Sequence, residues 1–192
     1  MKIADEVSGR KSYWIVVLLV AVLGTAADLF SKYLIFRCLS NKTVDIIPGA
    51  LGLTKTLNSG IIWGLFSGEN TIFLVLTFLT IPLILLLFRE IGRQEDKPWL
   101  GKSWLMAVAF GLILSGAIGN LYDRVMLRAV RDFIDFYLIK WPIFNIADIY
   151  ITAGAILIII LMFKRSQSES EQKNKPKCPE SACDCCKQDN NA

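Results

Sequence analysis

Residues 103–122 read SWLMAVAFGLILSGAIGNLY, twenty positions without a charge. A helix needs about 20 mostly apolar residues to cross a hydrocarbon core of about 30 Å, so this stretch reads as one membrane span. Outward from it, residues 70–88 (NTIFLVLTFLTIPLILLLF) are likewise uncharged. Residues 13–36 and 144–163 join them once the first takes in Asp28, with Lys32 one turn on, and the second takes in Asp148. None of the four windows shows the apolar–polar alternation of a barrel strand. The reading is an all-α integral membrane protein with four transmembrane helices at about 13–36, 70–88, 103–122 and 144–163.

Composition agrees. Of 192 residues 54% are apolar, with mean hydropathy +0.47, against about 45–50% in ordinary soluble domains. Histidine is absent, which removes Ser-His-Asp triads, Cys-His proteases and His-ligated zinc or haem. Hydrolysis would have to use carboxylates, a lysine or a Ser-Lys pair. A net charge of +4 gives little support to nucleic-acid binding.

Residues 1–12 carry Lys2, Arg10 and Lys11 ahead of an apolar run that ends GTAAD, the outline of a cleavable secretory signal. The run continues past Asp28 and three spans follow, so a retained first helix with a cytoplasmic N-terminus is expected. With both termini inside, inner segments hold thirteen Lys and Arg and outer loops seven, the bias expected for that orientation. The outer loops are then about 37–69 and 123–147. The first, containing VDIIPGALGLTKTLNSGIIWGLFSG, mixes β-branched residues with Gly and Pro turns. A short strand or two followed by an interfacial half-helix is expected there, and Asp132 and Asp135 lie in the second outer loop. Residues 164–192 read as a disordered tail, rich in Ser, Glu, Gln and Lys. Its Cys178, Cys183, Cys185 and Cys186 have no standard metal-ligand spacing and would stay thiols in a reducing cytoplasm.

Carboxylates are the informative feature, because acids in or beside a membrane are costly and tend to be functional. The topology brings Asp28, Asp123, Asp132, Asp135 and Asp148 near one membrane surface, the outer one. Local explanations exist for each. Asp28 and Lys32 are spaced for an intrahelical pair. Asn145 and Asp148 have the spacing of a helix cap with an acidic third residue. Asn120, Asp123 and Arg124 share a helix face, and Asp135 reads as a solvated acid. Two carboxylates brought close share one proton. The ionised member can take a proton from water attacking a peptide carbonyl, and the protonated member can donate to the carbonyl oxygen or the leaving amine.

These residues resemble the lipoprotein signal peptidase family, also called signal peptidase II, bacterial inner-membrane aspartyl proteases. The resemblance covers about residues 13–163, in ADLFSKYL (27–34), LNSGIIWGLFSG (57–68), GAIGNLYDRV (116–125), VRDFIDF (130–136) and FNIADIYITAG (144–154). It implies an endopeptidase that cuts diacylglyceryl-modified prolipoproteins just before the lipidated cysteine, releasing the signal peptide. It places the catalytic pair on Asp132 and Asp148. Spacing alone leaves Asp123 with Asp148 open. It makes Asn58, Gly60, Asn120, Asp123, Arg124 and Asn145 supporting or substrate-lining residues: Asp123 orients Arg124 or braces the site, and Arg124 holds a substrate carbonyl. Asp28 becomes structural. No cofactor or metal is implied, membrane lipid surrounds the chain, and one chain supplies both acids, so it would act as a monomer. The chain departs from the family pattern at Ile61, Ile62 and Trp63 in the covering loop, at Arg131, whose cation would favour an ionised Asp132, and in its Cys-rich tail.

A small four-helix transporter or channel subunit using Asp28 is the alternative. Against it, the middle two spans are uncharged and most of the acids sit at the surface. A thiol oxidoreductase would need outward cysteine pairs, and only Cys38 lies on that side.

Overall fold

The computed structural model describes residues 2–40, 43–59, 82, 86, 104–139 and 141–174. In chain order these form helix α1 (Lys2–Cys38), strands β1 (Val44–Ile47) and β2 (Leu51–Asn58), helix α2 (Trp104–Leu127), strand β3 (Val130–Phe136), a 3-10 turn (Tyr137–Ile139) and helix α3 (Ile146–Asn174). Among the described residues, three segments are long and apolar enough to cross a membrane: Tyr13–Cys38, Trp104–Leu127 and Ile146–Lys164. The expected span at 70–88 falls outside the described residues except for Pro82 and Leu86, which are helical. The expected half-helix, Gly60, Ile61, Ile62, Trp63 and the four tail cysteines also fall outside them.

Helices α1 and α3 turn large apolar side chains outward: Leu18, Leu23 and Phe30 on one, Ile156 and Ile159 on the other, are all more than half exposed. Soluble monomers rarely expose such continuous apolar surface, and lipid is its natural solvent. Helix α2 is the buried one, with Met106, Ala107, Ala109, Ser115 and Ala117 almost fully covered. It packs through small residues, as membrane helices do when dispersion and not the hydrophobic effect must hold them. A Cβ at Gly111 would lie 2.7 Å from Val20 Cβ of α1. A Cβ at Gly116 would overlap the carbonyl of Ala147, and one at Gly119 would overlap Asp28 Oδ2.

The three strands form one antiparallel sheet in the order β1-β2-β3. Pro48 and Gly49 turn the chain between β1 and β2: Ala50 N donates to Ile47 O at 3.0 Å, and Gly49 has φ 73°. That is a type II turn, with Pro and Gly at the two positions that favour them. Strand β3 lies within the second outer loop, for which the sequence reading named no strand. It pairs with β2 through Thr56–Asp132, Leu57–Arg131 and Asn58–Val130. Its apolar residues do not alternate with polar ones, because Asp132 is buried alongside Val130 and Phe133, so the period-two signal of a strand is broken. On its other edge β3 takes Phe144: Ile134 N donates to Phe144 O at 2.8 Å and Phe144 N to Ile134 O at 3.0 Å. This bridge delivers Asn145 and the start of α3 to the strand.

The tail expectation is corrected over its first eleven residues. Helix α3 runs through 164–174, where KRSQSESEQKN contains no Gly, Pro or β-branched residue and so nothing that breaks a helix already nucleated upstream.

Gly119→Ala is expected to lower stability by about 1–3 kcal/mol, the range for overpacking a close contact, because the new methyl displaces the Asp28 carboxylate. Ile118→Ala, at a partly exposed neighbouring position, should change it far less. Thermal unfolding of the two variants in detergent micelles measures the difference.

Candidate active site

The site is assembled where the start of α3, the end of α2, the middle of α1 and strand β3 meet. Asn145 opens α3 as its N-cap. Its Oδ1 accepts from Asp148 N at 3.2 Å, while its own N–H donates to Asp148 Oδ2 at 3.0 Å. This reciprocal pair is a capping box with an acid at the third position. The cap leaves the NH2 of Asn145 to reach β3, where Nδ2 donates to Asp132 Oδ1 at 2.6 Å. One residue thus hydrogen-bonds both Asp132 and Asp148.

Each carboxylate has a second amide donor. Asn58, diagonally across the sheet from Asp132, donates from Nδ2 to its Oδ2 at 2.9 Å. Asn120, on α2, donates from Nδ2 to Asp148 Oδ1 at 2.9 Å. Asn120 Oδ1 in turn accepts from Asn145 Nδ2 at 3.2 Å and from Lys32 Nζ at 2.9 Å. Asp132 is 2% exposed and Asn145 fully buried, whereas Asp148 is partly open. Arg124 extends the same face of α2, with Nη1 donating to Asn120 O at 3.3 Å.

Asp123 is fully buried and holds β3 in place. Its Oδ2 accepts from Arg131 N at 3.0 Å, and its Oδ1 accepts from Arg131 Nε at 3.1 Å and Nη2 at 2.6 Å. Asp28 joins α1 to α3, accepting from Ala147 N at 3.0 Å on Oδ1 and pairing with Lys32 Nζ at 2.8 Å on Oδ2. The expectation that Arg131 would favour ionisation of Asp132 is overturned. Consecutive strand residues point to opposite faces, and the Arg131 guanidinium is bound to Asp123.

Burial instead holds the Asp132 carboxyl up at about 6, and the charge of Asp148 adds to the rise. The Asn58 and Asn145 donors and the Lys32 charge pull the other way. Asp132 lies in β3, outside the spans, where the cause is a dry pocket facing a second acid.

A family model described as Signal peptidase (SPase) II matches residues 20–164. The chain belongs to the signal peptidase II family. It is similar to the lipoprotein signal peptidase of Staphylococcus aureus strain bovine RF122 / ET3-1, 36% identical over 170 residues that cover 86% of this chain and 99% of that protein. The counterpart from strain MRSA252 is 34% identical over the same coverage. Among solved structures, a bacterial membrane enzyme determined in meso at 2.3 Å matches with TM-score 0.66 and 32% identity, over 85% of this chain and 94% of that one. Another, determined at 1.9 Å, matches with TM-score 0.63 and 34% identity, over 77% and 92%. As a signal peptidase II, the chain is a bacterial membrane protein and a peptidase.

Of the residues singled out from the sequence, Asn58, Asn120, Asp132, Asn145 and Asp148 come together in one hydrogen-bonded cluster, with Arg124 and Asp123 beside it and Asp28 behind it. Sequence spacing makes Lys32 only a partner of Asp28, yet it also reaches Asn120 and Asp123. The available signal is a lysine well inside an otherwise apolar helix. Asp135, a solvated acid by its sequence context, accepts from Thr54 Oγ1 at 3.0 Å across the sheet and stays out of the cluster.

A raised Asp132 value sets the sign of a pH effect. The folded chain binds this proton more tightly than the unfolded one, so the stability it lends is present below the ordinary value of 3.8 and is lost as pH rises to about 6. Between pH 4 and 7 the stability gap between wild type and Asp132→Asn is expected to move in favour of the variant by up to about 3 kcal/mol. Thermal unfolding at a series of pH values reads it, and a pH-independent gap would contradict a dry Asp132.

Proposed function

We propose that this protein is the aspartyl endopeptidase that removes the signal peptide from diacylglyceryl-modified prolipoproteins, cutting just before the lipidated cysteine. The observation that carries the reading is Asn145, whose side-chain amide binds Asp132 and whose backbone N–H binds Asp148. Two acids so linked can divide the work of acid and base between them. Water placed between them loses a proton to the ionised member as it attacks the scissile carbonyl. The protonated member gives its proton to the carbonyl oxygen, and then the leaving amine is protonated as the tetrahedral centre collapses. Arg124, beside Asn120 at the end of α2, is placed to hold a substrate carbonyl.

Four spans, with 70–88 as the second, both termini cytoplasmic and the acids at the outer face, complete the proposal. Residues 13–163 form the peptidase domain, flanked by 1–12 and a Cys-rich tail. A signal-peptide helix lies in the bilayer with its cleavage site near the outer surface. The substrate's acyl chains remain in lipid while its peptide bond enters between helices, and one chain acts alone. Asp28, taken up by Ala147 N and Lys32, is engaged in structure, which gives the transporter reading nothing to build on.

Purified protein in lipid should shorten a prolipoprotein on a gel only when that substrate carries its diacylglyceryl group. Asp132→Asn and Asp148→Asn should lower the rate at least about 100-fold, the smallest usual loss for an acid–base group. Asp123→Asn should retain measurable cutting. Folded wild type that cuts neither substrate would refute the proposal, and full activity of Asp132→Asn would move the pair elsewhere.

A further inference from the structure

Lys32 is the largest fully buried side chain among the described residues. Its ammonium can only donate, and it has three donors. Three acceptors surround it: Asp28 Oδ2 at 2.8 Å, Asn120 Oδ1 at 2.9 Å and Asp123 Oδ2 at 3.4 Å. Two carboxylates would suffice to neutralise it. The third contact, to an uncharged amide, bears on the acids.

A carboxamide has an oxygen end and a nitrogen end of similar shape, so something must decide which way it points. Because Lys32 cannot accept, Asn120 must turn its oxygen toward α1, and its NH2 therefore faces Asp148. The same oxygen accepts from Asn145 Nδ2, which turns the Asn145 amide so that its NH2 reaches Asp132 and its oxygen caps Asp148 N. One donor-only group thus fixes the polarity of both amides that contact the acid pair.

We infer that Lys32 is a positioning residue for the reaction, aligning Asn120 and Asn145 so that each presents a donor to the acid pair; this rests on the reading of Asp132 and Asp148 as the reacting acids. Without Lys32, Asn120 can turn its oxygen toward Asp148, an arrangement that repels a carboxylate and that only a protonated acid satisfies, by donating to that oxygen. The charged groups around this relay are Asp28 on α1, Asp123 and Arg124 on α2, Arg131 and Asp132 on β3, and Asp148 on α3. Arg131 is committed to Asp123. Removing the Lys32 charge and the enforced amide polarity both favour the protonated pair, so the pair should hold its last proton to higher pH.

Lys32→Met alone would strand a buried Asp28 carboxylate, so the test uses Asp28→Asn/Lys32→Met. In that double variant the amide introduced at position 28 can still accept from Ala147 N, and Asp123 keeps Arg131. In the cleavage assay with lipidated prolipoprotein, kcat is expected to fall about 100-fold, the loss that follows a small misplacement of reacting groups, with KM within about 3-fold. Removing Lys32 and Asp28 together leaves the net charge beside the pair unchanged, so it is the freed Asn120 amide that should move the alkaline limb of the kcat/KM profile upward. A folded double variant with wild-type kcat overturns the inference, and so does a fall in kcat with an unmoved limb. If the double variant does not fold, Asn120→Ala gives the test. It keeps the Asp28–Lys32–Asp123 ion pairs and removes the link from Lys32 to the acids together with Asn120's own donor to Asp148, so wild-type kcat there overturns the inference equally. Asp132→Asn and Asp148→Asn run alongside; if either still cuts at the wild-type rate, it is the assignment of the acid pair that fails.

Discussion

An ammonium and two carboxylates, Lys32, Asp28 and Asp123, lie beyond the reach of solvent where three helices and a strand converge. Charges in such a place are tolerated only when paired and hydrogen-bonded on every side. That demand organises the molecule. Asp28 must find a donor and takes the N–H of Ala147, which seats the first turn of α3 against α1. Asp123 must find donors and takes the backbone and guanidinium of Arg131, which fixes the entry of β3 against α2. Lys32 ties both to Asn120. Losing one partner leaves the others buried and uncompensated, typically a penalty of about 3–5 kcal/mol.

Around this centre the backbone approaches closely. Gly116 and Gly119 leave room on α2 for the carbonyl of Ala147 and the carboxylate of Asp28. Small residues and buried charge act together: the glycines let the helices come near enough for side chains as short as Asp and Asn to bridge them. The acid pair then sits on rigid elements, one member in the first turn of a helix and the other in a strand held on both edges. Every side-chain oxygen of the pair accepts a hydrogen bond from an Asn. Such preorganisation is what the proposed function asks of the pair, proton transfer without reorganisation at the moment of reaction. The same dry setting lifts Asp132, so the buried charges that fix the fold lie next to an acid whose proton affinity burial has raised.

Much of this is readable along the chain wherever the relevant contact is local. The Asp28–Lys32 pair is one helical turn apart, and the Asn145–Asp148 box spans three residues. The apolar windows at 13–36, 103–122 and 144–163 announce themselves by composition, and the structure places long apolar helices over them. What the chain conceals is non-local. Strand β3 is hidden because burying Asp132 breaks the alternation that marks a strand. Along the chain Lys32 is accounted for by Asp28, since its other partners are remote in sequence, with Asn120 lying 88 positions away. Arg131 invites assignment to its sequence neighbour Asp132, while the pleat sends its side chain to Asp123.

The sequence by itself determined a membrane protein with acids in and beside its apolar segments, because hydropathy and charge are properties of segments and need no knowledge of what each segment touches. It also carried the motif order that marks the family. Only the tertiary structure decided how those acids differ. Asp28 and Asp123 became structural because each meets a cation and a backbone donor. Asp132 and Asp148 became a linked pair because β3 takes Phe144 at its edge and brings Asn145 between them. An aspartate is the same group at every position, and its role is set by the partners and the solvent that folding gives it or takes away.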